Sequence, residues 1–161
     1  MIVGVGDIAR RALPQLEIRF RLQMLTRDTG RDLDHPASLG GLAPADCVLH
    51  TAPPPPAGDI DTRTANLLSA LDGAGILPTR VVYISTSGVY GDCGGALVDE
   101  SRTPLPRSAR GRRRLDAERR LSEWCDRRHA ALVILRAPGI YAADRLPLGR
   151  LRAGTPVLRA E

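Results

Sequence analysis

Two glycines and an alanine near the start of the chain have the spacing that phosphate binding asks for. The sequence opens Met1-Ile-Val-Gly-Val-Gly-Asp-Ile-Ala, so Gly4, Gly6 and Ala9 make G-x-G-x-x-A between a short apolar run and a helix-forming pattern. The first glycine permits a tight turn, the second lets bare backbone approach a pyrophosphate, and a small third residue allows close helix–strand packing. The first helical turn, with Asp7, Ile8 and Ala9, then offers its N–H groups to the anion. About 20 residues further on, where a dinucleotide fold reads the ribose, stands Leu25-Thr26-Arg27-Asp28. An arginine there pairs with the 2′-phosphate of NADP, whereas an acid accepts the ribose hydroxyls of NAD. Arg27 favours NADP, and Asp28 leaves NAD open.

A second group able to do chemistry is the run of hydroxyls Ser85-Thr86-Ser87 at the end of an apolar segment. What is absent narrows the chemistry further. All 23 basic residues among the 161 are arginine, against 18 acids, for a formal net charge of +5. No lysine means no Schiff base, no phosphate-loop lysine, and no lysine to tune a tyrosine. Cys47, Cys93 and Cys125 form no CxxC pair and cluster with none of His35, His50 and His129, so no metal site is expected. The odd cysteine count fits a reduced, cytoplasmic chain. Neither a signal peptide nor an apolar run of the roughly 20 residues a membrane helix needs is visible. His50 reads as a satisfied core histidine, Cys125 as packing, and the adjacent Asp99 and Glu100 as solvated acids.

The elements that must hold these groups alternate short apolar runs with helix-patterned stretches, the signature of an α/β fold with a parallel sheet. The pattern predicts strands at Met1–Val3, Arg19–Leu25, Cys47–Ala52, Arg80–Thr86 and Ala131–Arg136. Cys47-Val-Leu-His, Val81-Val-Tyr-Ile and Leu132-Val-Ile-Leu are continuous apolar runs, as expected of strands covered on both faces. Helices are expected at Asp7–Glu17, Asp61–Leu71 and Ser108–Arg128. Pro14 should kink or shorten the first. In the last, Ala117, Leu121, Trp124 and Cys125 form one apolar stripe. With 43% hydrophobic and 25% charged residues and no internal repeat, the chain reads as one domain over residues 1–161.

Several segments, in order, resemble the extended or atypical short-chain dehydrogenase/reductase superfamily, which includes the NAD-dependent epimerase/dehydratases. Val82-Tyr-Ile-Ser-Thr-Ser-Gly-Val-Tyr-Gly-Asp92 resembles its SSxxVYG strand end, and Leu135-Arg-Ala-Pro138-Gly-Ile-Tyr141 its LRxxxIYG strand. Asp32-Leu33 resembles the acidic pair near the adenine, and Thr51-Ala52-Pro53 the loop after strand four. Thr64-Ala-Asn66 resembles the helix that follows, and Val98-Asp-Glu100 with Pro104 the loop before the catalytic helix. The resemblance implies a Rossmann-like, doubly wound parallel sheet binding NAD or NADP, and hydride transfer of the oxidoreductase or sugar-nucleotide epimerase type. It assigns the cofactor to Gly4, Gly6, Asp7, Ile8, Ala9, Arg27, Asp32, Leu33, Ala52, Pro53, Arg114 and Pro138. It places Thr86, flanked by Ser85 and Ser87, as the hydroxyl that orients the substrate.

The family's Tyr-xxx-Lys pair falls on Arg110 and Arg114. A guanidinium stays protonated at working pH and cannot replace a phenol as proton shuttle. Arg114 could still hold a ribose or phosphate, and helical spacing sets 110 and 114 on one stripe facing the cofactor. Only Thr29-Gly-Arg31 separates Asp28 from Asp32, too little for a crossover of about a dozen residues, so the third-strand region is expected to be missing. The C-terminal substrate portion is expected to be largely missing as well, leaving a reduced sheet whose broken edge would favour self-association. Two further readings stand beside the oxidoreductase: a non-catalytic nucleotide-binding module or incomplete copy, and a nucleic-acid binder through Arg107–Arg128. Those arginines interleave with Asp116, Glu118, Glu123 and Asp126, which favours a solvated helix face.

Overall fold

A computed structural model of the chain describes residues 1–144, 146 and 148–154. Its elements run β1 (Ile2–Val3), α1 (Asp7–Glu17), β2 (Met24–Leu25), β3 (Cys47–His50), α2 (Thr62–Gly73), β4 (Arg80–Thr86), α3 (Ala109–Arg128), β5 (Ala131–Ala137) and α4 (Leu148–Arg152). The five strands are all parallel, in the order β2-β1-β3-β4-β5. From β1 the chain moves outward to β2 in one direction and through β3, β4 and β5 in the other. Right-handed crossovers therefore set α1 on the opposite face of the sheet from α2 and α3. This is a doubly wound α/β fold, Rossmann-like, with its topological switch point between β1 and β3. Among the described residues, two short 3-10 turns, Arg27–Thr29 and Pro36–Leu39, are the helical or strand elements between β2 and β3. The usual crossover helix and third strand are missing there, as the short spacing predicts.

Side chains cap α2 and α3 at their N-termini. Ser108 is the N-cap of α3 and accepts from Gly111 N, while Asp61 caps α2 through Arg63 N and Thr64 N. Each therefore stands just outside the helix it was expected to begin. The α1 helix runs past Pro14 to Glu17. Pro14 is solvent-exposed, so the carbonyl it leaves without an intrahelical partner has water to bond instead.

The second strand is shorter than the predicted Arg19–Leu25. It pairs with β1 alone, in the register Ile2↔Met24 and Val3↔Leu25, and a ladder cannot outrun a two-residue partner. Nor does β3 reach Ala52: Thr51 N and Ala52 N both bond to the Val3 carbonyl, which ends the ladder.

The core lies between the sheet and the α2/α3 layer. Val48, Leu67, Leu71, Val81, Tyr83, Ala117, Leu121, Trp124 and Cys125 are all buried there. The stripe on α3 is buried as its spacing predicts, and burial pushes the Cys125 thiol up to about 11, which keeps it unreactive. Double coverage fails for the continuous apolar runs. On β4, Val81, Tyr83 and Ser85 are buried while Val82 and Ile84 are half-buried, and on β5 Val133 and Leu135 are 40% and 48% exposed. The cause is position: β5 is the sheet edge, and α3 packs on one face only.

Candidate functional site

The G-x-G-x-x-A turn sits at the switch point. Gly4, just after β1, has a φ of +79°, the left-handed region that side chains with a Cβ avoid. A Cβ there would also come within 2.7 Å of the Ala52 backbone, because the segment after β3 passes directly across the turn. Gly6 is the N-cap of α1, and a Cβ on it would meet nothing within 4 Å. Ala9 is fully buried, as close helix packing requires. The first glycine is thus fixed by structure, whereas the second borders open space.

That space is a hollow of about 320 Å³ lined by Gly4, Gly6, Arg27, Asp32, Leu33, Ala52 and Pro53, all expected from the sequence. It lies at the carboxyl ends of β1 and β3, where open α/β sheets bind ligands. Arg10, Arg31 and Arg63 line it too. Arg10 spends Nε on the Val5 carbonyl, and Arg31 donates to the Gly40 and Gly41 carbonyls. Arg63 reaches in from α2, donating Nε and Nη2 to the two oxygens of Asp34 at 2.8 and 2.6 Å and Nη1 to the Pro53 and Pro54 carbonyls. Sequence reasoning missed Arg10, Arg31 and Arg63. Helix periodicity could have found Arg10, four residues from Gly6 and one turn along α1. Nothing local signals the other two, because their partners lie 9 to 29 residues away.

The hydroxyl run divides by strand alternation. Ser85 is buried and its hydroxyl donates to Glu118, so it is not presented at the strand end. Thr86, on the opposite face, is the N-cap of the 3-10 turn Ser87–Tyr90 and accepts from Gly88 N. Ser87 and Pro138 line a second cavity, about 540 Å³, together with Tyr90, Asp99, Glu100 and Arg136. Glu118 takes both a serine and a guanidinium: Arg136 pairs with it through Nε and Nη2 and gives Nη1 to the Tyr90 hydroxyl at 2.8 Å.

The two arginines at the Tyr-xxx-Lys positions part company. Arg110 is exposed and is not among the residues lining the hollow. Arg114 turns inward and is buried, donating Nη1 to the Tyr83 hydroxyl at 3.0 Å and to the Ile84 carbonyl at 2.7 Å. The shared cofactor-facing stripe expected of them is therefore corrected: the helix buries one and exposes the other. The nearest phenol to the lysine position, Tyr83, is fully buried, and burial lifts its pKa to about 12 despite Arg114.

His50 is a core histidine, only half satisfied. Thr64 gives its hydroxyl hydrogen to Asp61 Oδ2 at 2.7 Å, so His50 Nε2, 2.9 Å from Thr64 Oγ1, is the donor to that hydroxyl oxygen. Its Nδ1 has no hydrogen-bond partner among the described residues. The arginines of α3 are largely spent within the fold: Arg112 on Asp59, Arg113 on the Gly58 carbonyl, Arg120 on Asp116 and Arg128 on Asp72. No helix among the described residues is long and apolar enough to cross a membrane.

No family model matches the chain, and no curated protein does. Solved structures do. The chain is similar to RMD from Pseudomonas aeruginosa complexed with NADPH, at 23% identity and a TM-score of 0.72, over 97% of this chain and 63% of that one. It is similar to a UDP-galactose 4-epimerase at 20% identity and a TM-score of 0.76, over 98% and 65%. The UDP-glucuronic acid 4-epimerase from Bacillus cereus in complex with NAD matches at 25% identity and a TM-score of 0.58, over 96% and 55%. The chain spans less than two thirds of the length of each. Its fold is the Rossmann-like fold these structures share, in reduced form, as the resemblance to the short-chain dehydrogenase/reductase superfamily implied.

Proposed function

We propose that this chain binds a nicotinamide adenine dinucleotide, NADP in preference to NAD, in the hollow between β1 and β3. The observation that carries the reading is the open space in front of Gly6 at the N-terminus of α1, on a hollow rimmed by Arg10, Arg27 and Arg31. A pyrophosphate lies against the glycine turn and the first amides of the helix, where backbone N–H groups and the helix dipole favour an anion. The adenine end lies towards Asp32, Leu33, Ala52 and Pro53, and the 2′-phosphate meets Arg27. The nicotinamide, when bound, supplies hydride transfer. This chain's own residues bind and orient the dinucleotide, with Thr86 at the end of β4 as the hydroxyl nearest that role.

The chain acts as a nucleotide-binding module and does not complete a reaction alone. Positions 110 and 114 carry arginines in place of a phenol and an amine, and the Tyr83 phenol is buried with a pKa of about 12. A second reading, an epimerase or reductase in which another chain or the substrate moves the proton, is favoured by the hydroxyls of Thr86 and Ser87 at the strand end. Fluorescence titration with NADPH and NADH tests the first reading. NADPH should saturate at lower concentration, and Arg27→Ala should bring the two affinities together. No saturable signal with either dinucleotide removes the proposal.

A further inference from the structure

Between β2 and β3 the described residues form no α-helix to support the outer wall of the hollow, only two 3-10 turns. A wall made of turns needs another anchor, and α2 supplies it from across the hollow. The Arg63 fork closes on both oxygens of Asp34, and its remaining nitrogen reaches the Pro53 and Pro54 carbonyls at 3.1 and 3.3 Å. One turn further along α2, Asn66 Nδ2 donates to the Leu33 carbonyl at 2.7 Å. One guanidinium thus ties together three segments: α2, the turn after β2, and the loop after β3. Its side chain is 17% exposed, and the pairing holds the Asp34 carboxyl below the usual carboxylate range.

We infer that Arg63 is the positioning residue for the adenine end of the bound nucleotide. It sets the gap between the 32–34 turn and the 53–54 loop, in place of the crossover helix this fold lacks. The inference rests on the dinucleotide reading above. Bidentate geometry matters here: a lysine could pair with Asp34 but could not also bridge to the proline carbonyls. Because the clamp touches only the adenine end, its loss should be felt by ligands carrying adenosine and not by those that occupy the glycine turn alone.

The test compares NADPH, adenosine 2′,5′-bisphosphate and inorganic pyrophosphate by calorimetry on the full chain, with thermal unfolding of each variant measured alongside. Arg63→Ala should weaken NADPH and the bisphosphate about tenfold or more and leave pyrophosphate within about twofold. Arg63→Lys should recover only part of the loss. Asp34→Asn, at an exposed position, removes the clamp without emptying the α2 surface and should give the same pattern more weakly; it decides the matter if Arg63→Ala does not fold. An equal fall for all three ligands, tracking a lower unfolding temperature, would make Arg63 merely structural and overturn the inference. So would unchanged NADPH affinity. If the unaltered chain binds none of the three, the dinucleotide reading itself fails and the clamp has nothing to position.

Discussion

His50 shows how one buried side chain sets a pH response. It sits in β3 opposite Tyr83, the ring centroids 5.0 Å apart, with Arg114 close enough to disfavour a second positive charge. Burial first, and Arg114 second, lower its pKa from 6.5 to about 3. The unfolded chain therefore takes up a proton below pH 6.5 that the folded chain refuses. Stability from this source is complete above pH 6.5 and declines as pH falls towards 3, by up to about 1.4 kcal/mol per pH unit. Urea unfolding at pH 7, 6 and 5 should show that decline, and His50→Gln should flatten it. A decline equally steep in the variant would assign it to other groups. The type of His50, a core histidine, was readable from its apolar neighbours. Its hydrogen-bond partner was not, since Thr64 lies 14 residues away on another element. Ser85, Thr86 and Ser87 show the same limit: alternation along a strand separates neighbouring hydroxyls onto opposite faces, but the carboxylate that claims one of them comes from a distant helix.

Among the elements, the turn joining β1 to α1 is tightly specified, and by its first glycine rather than its second. An alanine at position 4 meets two penalties, a left-handed backbone and a backbone contact at 2.7 Å. The first costs about 1–2 kcal/mol, and the second is added because two backbone segments must part. Gly75, after α2, shares the first penalty, with a φ of +65°, but a Cβ there meets nothing within 4 Å. Gly4→Ala should thus destabilise by about 2–4 kcal/mol, in the range of the severe single-site mechanisms, and Gly75→Ala by about 1–2 kcal/mol. Equal losses in chemical denaturation would mean that Ala52 yields without cost. The starts of α2 and α3 were legible to within a residue because the capping groups Asp61 and Ser108 act locally. Strand lengths were not, because a strand ends where its partner ends: Arg19 to Leu22 have the composition of a strand and lie beyond the Gln23 carbonyl, which accepts from Ile2 N on β1. The same holds for β5, whose apolar run looks like a central strand and lies at the edge.

At the scale of the whole molecule, the hollow is a property of the assembled sheet. Gly4, Arg27, Ala52 and Arg63 come from four separate stretches of chain and meet only when β1, β2 and β3 are in register and α2 has docked. The unfolded chain offers no such site, so a dinucleotide that binds the folded form must stabilise it by mass action. At a free concentration about 100 times its dissociation constant, the gain is about 2.7 kcal/mol. For a chain of this size each kcal/mol raises the unfolding temperature by roughly 2–4 °C, so saturating NADPH should raise it by about 5–10 °C. NADH at the same concentration should give a smaller rise, because Arg27 then has no phosphate to meet. Gly6→Val should abolish both shifts, since its branched side chain would stand in the open space before the helix, while the apo unfolding temperature changes little because a Cβ there meets nothing within 4 Å among the described residues. A shift that persists in Gly6→Val would move the nucleotide elsewhere on the molecule, and the 540 Å³ cavity by Ser87 and Pro138 would be the place to look.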